Sequence, residues 1–259
     1  MKQLIVAADD FGLTNGVSAG IIEAIAHGVV SSTSAMVAWP DAADRLARHH
    51  TSELSGRVGL HLQLTTGVSC APPAAVPSLV DAEGHFARRR AAEPRRESAE
   101  IAHEWRAQAD RLRAIGITPA HLDSHHHIHH QPEAVEPFAA LAASLGVPGR
   151  GGPPPVRAAL AAAGVAHAEW LETSWFGGVL TVDRLVKVVT RAFAVIGNAG
   201  TVELMCHPGL SDRELEAVSS YTTERERELA VFCAPDLPGR LRDLGITIVP
   251  AGAIGQART

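Results

Sequence analysis

The sequence predicts an α/β fold: a distorted or incomplete (β/α) TIM-like barrel forming one domain over residues 1–259. Three observations predict it. Short apolar runs alternate with helical stretches roughly seven times, which favours a barrel over an open sheet. Several of those runs end in Asp or His, at the strand ends where barrels of this kind gather their chemistry. No glycine-rich turn follows the first run, so a dinucleotide-binding sheet has no support.

Gln3 to Ala8 is a continuous apolar run, as expected of a strand buried on both faces, and it leads into Asp9-Asp10. Thr14 or Asn15 can cap a helix whose Val17, Ile21, Ile22 and Ile25 form one stripe, ending near Gly28. The same grammar gives a strand Ser32 to Ala38, a helix Asp41 to His50 and a strand Val58 to Leu64. Residues 65–92 have prolines and no period, and read as a long loop insertion beside a site. Ile101, Trp105, Leu112 and Ile115 space as a helix face stopped by Gly116, followed by a strand Ala120 to Asp123 and a helix Pro132 to Leu145. The Pro/Gly-rich stretches Ala71 to Pro77 and Pro148 to Pro155 read as loops. Later elements are a strand near Val165 to Glu169, a helix Val182 to Val195, a strand Thr201 to Cys206, helices Glu224 to Phe232 and Leu237 to Leu244, and a strand Ile246 to Val249.

With 259 residues, 46% hydrophobic and 20% charged, the chain can enclose one large core. A net charge of −5 argues against nucleic acid, whose phosphates need a basic face. The basic run Arg88 to Arg90 with Arg95 and Arg96 reads as a solvated face. No apolar stretch approaches the roughly 18 to 20 residues of a membrane helix, and no signal-peptide pattern opens the chain, so a soluble, cytoplasmic protein is expected. Cys70, Cys206 and Cys233 are scattered, suggesting neither disulfides nor a thiolate metal site, with two of the three in the core.

Of the 14 histidines, six lie between His121 and His130. Alone, that run fits a solvated loop or an unspecific metal scavenger as well as a catalytic site. Asp9 and Asp10 strengthen the catalytic reading, because adjacent carboxylates at a strand end repel unless a cation or donors offset them; the bland alternative is one helix cap and one solvated acid. In Gly59-Leu60-His61-Leu62-Gln63-Leu64, alternation puts His61 and Gln63 on one face. A lone histidine there is ordinarily a hydrogen-bonded core residue. One Asp and two imidazoles from separate strand ends instead make a facial metal triad with open positions for water and substrate. His207 ends a strand before Pro208-Gly209 and reads as a barrel-rim residue, with an exposed loop histidine as the alternative. If the strand continues past Asp123, His125 and His127 share its face and His126 lies opposite.

Four segments carry a resemblance: Ala8 to Leu13, Gly59 to Thr65, His121 to His129, and Met205 to Gly209, with Ser31-Ser32-Thr33-Ser34 in register between them. The chain resembles the YdjC-type carbohydrate deacetylases, which include chitooligosaccharide deacetylases. The resemblance implies a distorted barrel, often homodimeric, that removes an N-acetyl group from a small sugar substrate with one divalent ion, commonly magnesium or zinc. It implies Asp10, His61 and His125 as metal ligands, Asp9 as general base and His207 as a histidine near the substrate. The loop Val147 to Gly152 departs from related sequences, which run Val-Pro into a strand bearing an arginine; Arg150 is the candidate for that role.

In this reading a metal activates water, Asp9 takes the water's proton and a His207 imidazolium gives one to the departing amine. Asp123 orients a ligand histidine, with His127 beside it. Trp39, Trp175 and Phe176 are candidates for an apolar wall under the sugar, and 4% aromatics leaves few such platforms. Two rivals stand beside it: a barrel metallophosphoesterase with two or three ions, and a non-catalytic histidine-rich metal store.

Overall fold

The computed structural model describes residues 1–86 and 96–255. Strand β1 (Lys2–Phe11) is the spine, and its Leu4, Val6 and Ala8 face the helices while Ile5 and Ala7 face inward. Helix α1 (Asn15–His27) starts where Thr14 Oγ1 accepts from the Val17 amide at 3.1 Å. It is followed by β2 (Ser32–Ala35), α2 (Ala42–His49), β3 (Val58–Leu62), α3 (Ser98–Ala114), β4 (Leu122–Ser124) and α4 (Pro132–Leu145). The second half runs α5 (Pro154–Ala162), β5 (Trp170–Glu172), α6 (Val182–Val195), β6 (Gly200–Cys206), α7 (Arg213–Val218), α8 (Thr223–Phe232), α9 (Leu237–Asp243) and β7 (Ile246–Ile248).

All the named strands pair in parallel, in the order β4-β3-β2-β1-β6-β5, and β7 pairs with the start of β1. The sheet curls, and irregular chain bridges the gap between its edges: Leu122 N donates to Pro148 O at 2.9 Å and Arg150 N to Leu122 O at 2.8 Å, and Gly149 N donates to Ala166 O at 3.0 Å. The result is a distorted TIM-like barrel closed on one side by irregular chain, as the alternation of elements predicts. Ile5, Ala7 and Ala251 form a small apolar plug inside, with Val249 and Ile254 against it. Among the described residues no helix is long and apolar enough to cross a membrane.

Several expectations are corrected. The fifth strand is Trp170–Glu172, later than Val165 to Glu169, because residue 166 meets its neighbour through one hydrogen bond only and the ladder begins at Trp170. The proline-rich stretch ending at Pro155 runs into helix α5: Pro154 and Pro155 occupy its first turn, where a missing N–H and a fixed φ do no harm. Helix α7 was also unexpected, and Asp212 caps it by accepting from Leu215 N at 2.8 Å. The described part of the segment after β3 packs against the body: Glu104 accepts from the Cys70 and Ala71 amides at 2.9 and 2.8 Å, and Val76, Leu79 and Phe86 are buried. Arg88 to Arg90 and Arg95 lie outside the described residues, whereas Arg96 is buried and donates to Leu64 O at 3.2 Å, so it belongs to no solvated face. Only Cys206 of the three free cysteines is fully buried.

Candidate active site

Adjacent residues of a regular strand point to opposite faces, so Asp9 and Asp10 could not both face the barrel mouth without a break in β1. The break is present. The register against β2 shifts between Ala8 and Phe11, and Asp10 takes φ +73°, a left-handed conformation that costs a non-glycine residue roughly 1–3 kcal/mol. Both carboxylates then line one pocket of about 720 Å³ with His61, His125, His126, His127 and His207. A second break serves the histidine run. The strand stops at Ser124, and His126 (φ +55°) and His127 (φ +49°) are left-handed inside a 3-10 turn, so three consecutive imidazoles reach the pocket instead of alternating.

Below the mouth, the barrel interior is tied by Arg150, which is wholly buried. Its Nη1 and Nη2 donate to Asp9 Oδ2 and Oδ1 at 2.8 and 2.7 Å, its Nε donates to Glu203 at 2.6 Å, and Nη2 lies 2.9 Å from Asp123 Oδ2. Burial alone would raise the Asp123 carboxyl and neutralise Arg150. Their proximity outweighs it, so Asp123 is held far below the usual carboxylate range and Arg150 far above its own. Burial does prevail at Glu203, whose carboxyl is pushed up.

Asp123 also reaches His61, whose Nδ1 donates to Asp123 Oδ1 at 2.7 Å. That bond fixes the proton on Nδ1 and turns the Nε2 lone pair toward Asp10. His61 Nε2 lies 3.5 Å from Asp10 Oδ1, His125 Nδ1 lies 3.1 Å from the same oxygen, and the two imidazole nitrogens are 3.3 Å apart. Asp10 Oδ2 is occupied by Arg225 Nη2 at 2.7 Å, while buried Oδ1 has no donor aligned on it as a hydrogen bond. An oxygen and an imidazole lone pair facing each other at this range fit a cation between them, and one carboxylate with two imidazoles suits a divalent ion. Burial works against the charged form of Asp10, but Arg225 and His125 keep its carboxyl well below the usual value. At His61 burial is likewise overcome by Asp123, Asp9 and Asp10, which raise its proton affinity.

Among the described residues two other groups of acids and histidines come close together but do not match a free cation. Asp9, His61 and Asp123 surround a space that the Arg150 guanidinium already fills. His127, His129 and His130 cluster too, yet the rings of His127 and His130 stack within 12° of parallel, so their in-plane lone pairs cannot converge without a ring turning.

His207 lines the pocket, and its backbone N donates to Glu228 at 2.7 Å. Burial pushes its imidazole down to about 4, so it rests neutral. The other Glu228 oxygen accepts from Tyr221 Oη at 2.6 Å. Arg150 is thus placed beneath the pocket rather than in its wall. The expectation for Trp175 as a sugar-facing wall is corrected: its side chain is wholly buried under the Arg184 guanidinium, 5.2 Å from the ring centroid, whereas Trp39 and Phe176 do line the pocket. Arg225, Tyr221 and Glu228 escaped the sequence reading. One signal was available, since Arg225 and Glu228 share a helical stripe with Leu229 and Phe232 and are therefore charges on an apolar face.

The profile of the YdjC-like protein family matches residues 3–243. The chain belongs to that family. Among curated members it is 39% identical over 250 residues to a carbohydrate deacetylase of Geobacillus stearothermophilus, covering 96% of each chain. It is 35% identical over 254 residues to a chitooligosaccharide deacetylase of Yersinia pestis strain Pestoides F, covering 94% of this chain and 96% of that one. Among solved structures it matches a putative cellobiose-phosphate cleavage protein of Enterococcus faecalis V583 with a TM-score of 0.84 at 29% identity, over 96% of this chain and 97% of that one.

Proposed function

We propose that the protein removes the N-acetyl group from an acetylated amino sugar or short oligosaccharide, using one divalent ion, Mg²⁺ or Zn²⁺, held by Asp10, His61 and His125. The observation that carries this reading is the convergence of Asp10 Oδ1, His61 Nε2 and His125 Nδ1 within 3.1 to 3.5 Å of one another at the pocket floor. The names of the Geobacillus and Yersinia relatives supply the substrate class.

A bound ion would supply Lewis acidity for the amide carbonyl and bring the pKa of water into reach of a carboxylate base. Asp9 accepts the proton of the attacking water. Each of its oxygens takes one bond from Arg150, which leaves a lone pair on each and fixes the carboxylate's orientation. His207 holds a proton for the leaving amine. Its neutral resting state means that this proton arrives during turnover: the one Asp9 takes from the water is passed to His207, whose charged form Asp10 and Asp9 favour, and from there to the amine as the C–N bond breaks.

Acetate release from N-acetylated mono- and disaccharides tests the reading, with metal-stripped protein and Asp9→Asn as controls. The expected outcome is acetate from at least one sugar, none after stripping, and a 10²- to 10⁴-fold slower Asp9→Asn enzyme that keeps its metal. Near-native turnover in Asp9→Asn would remove the base assignment. Two or more ions per chain with phosphate release would favour the phosphoesterase reading.

A further inference from the structure

Glu203 is the one acid in the strand run Thr201 to Cys206, and the register of β6 against β1 sets it beside Ile5, on the inward face of the barrel. Two residues on, Met205 shares that face and lines the pocket, so Glu203 lies one layer beneath the pocket floor. A carboxyl group inside a buried strand is costly unless a partner meets it. Here the partner is Arg150, whose Nε donates to Glu203 Oε1 at 2.6 Å.

A guanidinium can offer a carboxylate two edges, the end edge with Nη1 and Nη2 or the side edge with Nε and Nη2. Arg150 meets Asp9 with its end edge, Nη1 to Oδ2 at 2.8 Å and Nη2 to Oδ1 at 2.7 Å. Asp123 Oδ2 lies 2.9 Å from Nη2, the nitrogen common to both edges, so Asp123 is an acceptor toward which the side edge could turn. Glu203 closes that route by occupying Nε. Burial pushes the Glu203 carboxyl up, so this acceptor needs no charge of its own and the Arg150 cation is left to Asp9 and Asp123.

Resting on the deacetylase reading above, we infer that Glu203 is a positioning residue for the reaction: its bond to Arg150 Nε decides which edge of the guanidinium faces Asp9, and thereby the orientation in which Asp9 meets the attacking water. Without that acceptor, Nε becomes a buried charged donor with no partner, and the guanidinium turns to satisfy it at the expense of its end-on contact with Asp9. Asp9 then keeps a cation nearby but loses its orientation, and a misplacement of about 1 Å at a reacting group costs on the order of 100-fold in rate. Binding of the sugar is unaffected, because Glu203 is 3% exposed and lies below the residues that line the pocket.

Glu203→Leu removes the acceptor at similar volume, and Glu203→Gln restores one through its amide oxygen. Glu203→Leu is expected to lower kcat roughly 10- to 100-fold on an acetylated sugar with KM within about twofold and a full equivalent of metal, and Glu203→Gln to return kcat to within about threefold of wild type. A purely structural role would lower the thermal midpoint and leave kcat per folded, metal-loaded molecule unchanged. The Arg150 Nε–H signal in nitrogen–proton NMR spectra of metal-stripped protein reads the contact apart from turnover: it should persist in Glu203→Gln and exchange faster with solvent in Glu203→Leu. If Glu203→Leu does not fold, Glu203→Asp, which withdraws the acceptor by one methylene, is expected to lower kcat with KM held. Unchanged kcat in folded Glu203→Leu or Glu203→Asp, a Glu203→Gln enzyme as slow as Glu203→Leu, or loss of metal in step with rate overturns the assignment. Absence of acetate release by the wild-type chain would remove the deacetylase reading itself, a result distinct from any difference among the Glu203 variants.

Discussion

Asp9 and Asp10 are neighbours in the chain and line one pocket, and each is paired with a buried arginine, yet the two arginines serve regions of different kinds. On one side, Arg150 donates to both oxygens of Asp9 and is shared with Asp123 and Glu203, so the cation there is the protein's own and the region is closed to a free ion, while each Asp9 oxygen keeps a lone pair. At the mouth, Arg225 takes one oxygen of Asp10 and leaves the other turned toward two imidazoles. The difference teaches that a carboxylate whose full countercharge the protein supplies has no room for a free cation and can still take a proton, whereas one countered by half leaves an oxygen for an ion.

Breaking the closed region should have the largest effect. Arg150→Met leaves three carboxylates without their cation and is expected to cost about 3–5 kcal/mol, read as a fall in thermal midpoint or as loss of soluble folded protein. A stable Arg150→Met protein would mean that the interior carboxylates are protonated rather than paired. Breaking the open region should spare the fold and remove the ion: His61→Ala is expected to lose bound metal by elemental analysis and to lose turnover with it. Retention of a full equivalent of metal would show that the three mouth residues are not the ligand set.

Arg225→Gln sharpens the comparison, because it removes the half-charge and leaves the ligands in place. The expected result is a tighter metal affinity in competition with a chelator, because the guanidinium that repels a bound cation and lowers the basicity of Asp10 is gone, and an unchanged or weaker affinity would show that Arg225 instead holds the ligand in place. The smallest effect concerns His121, a buried histidine of neither group, whose two ring nitrogens have no hydrogen-bond partner and whose imidazole burial pushes down to about 4. Its folded value lies below its unfolded value of roughly 6.5, so the unfolded chain binds the extra proton and stability falls as pH drops from 6.5 toward 4. His121→Gln should flatten that slope by at most about 1.4 kcal/mol per pH unit in urea titrations, and an unaltered slope would assign the acid sensitivity to other groups.

The sequence was most legible where one local rule acted alone. The β1 run, the Thr14 cap and the amphipathic stretch from Val182 to Val195 each state their element in a few residues, and the structure has them close to those bounds. Legibility failed where prolines began a helix at α5, where a short helix of six residues depended on Asp212, and where strand pairing rather than composition set the start of β5. At the site, Asp10, His61 and His125 were readable as residue types at strand ends. Arg225 was not, because its partner is 215 positions away.

By itself the sequence determined the alternation of strands and helices, the strand ends on which acids and imidazoles sit, and the family. These follow from periodicity, from capping and from residue identity, all of which are local. Only the tertiary structure decided that Asp9 is closed to a free ion and Asp10 open to one, that three successive histidines share one pocket, and that Phe176 rather than Trp175 faces it. Those outcomes depend on left-handed backbone at Asp10, His126 and His127 and on arginines reaching across the barrel, and such geometry is stable only when the surrounding chain is already packed around it.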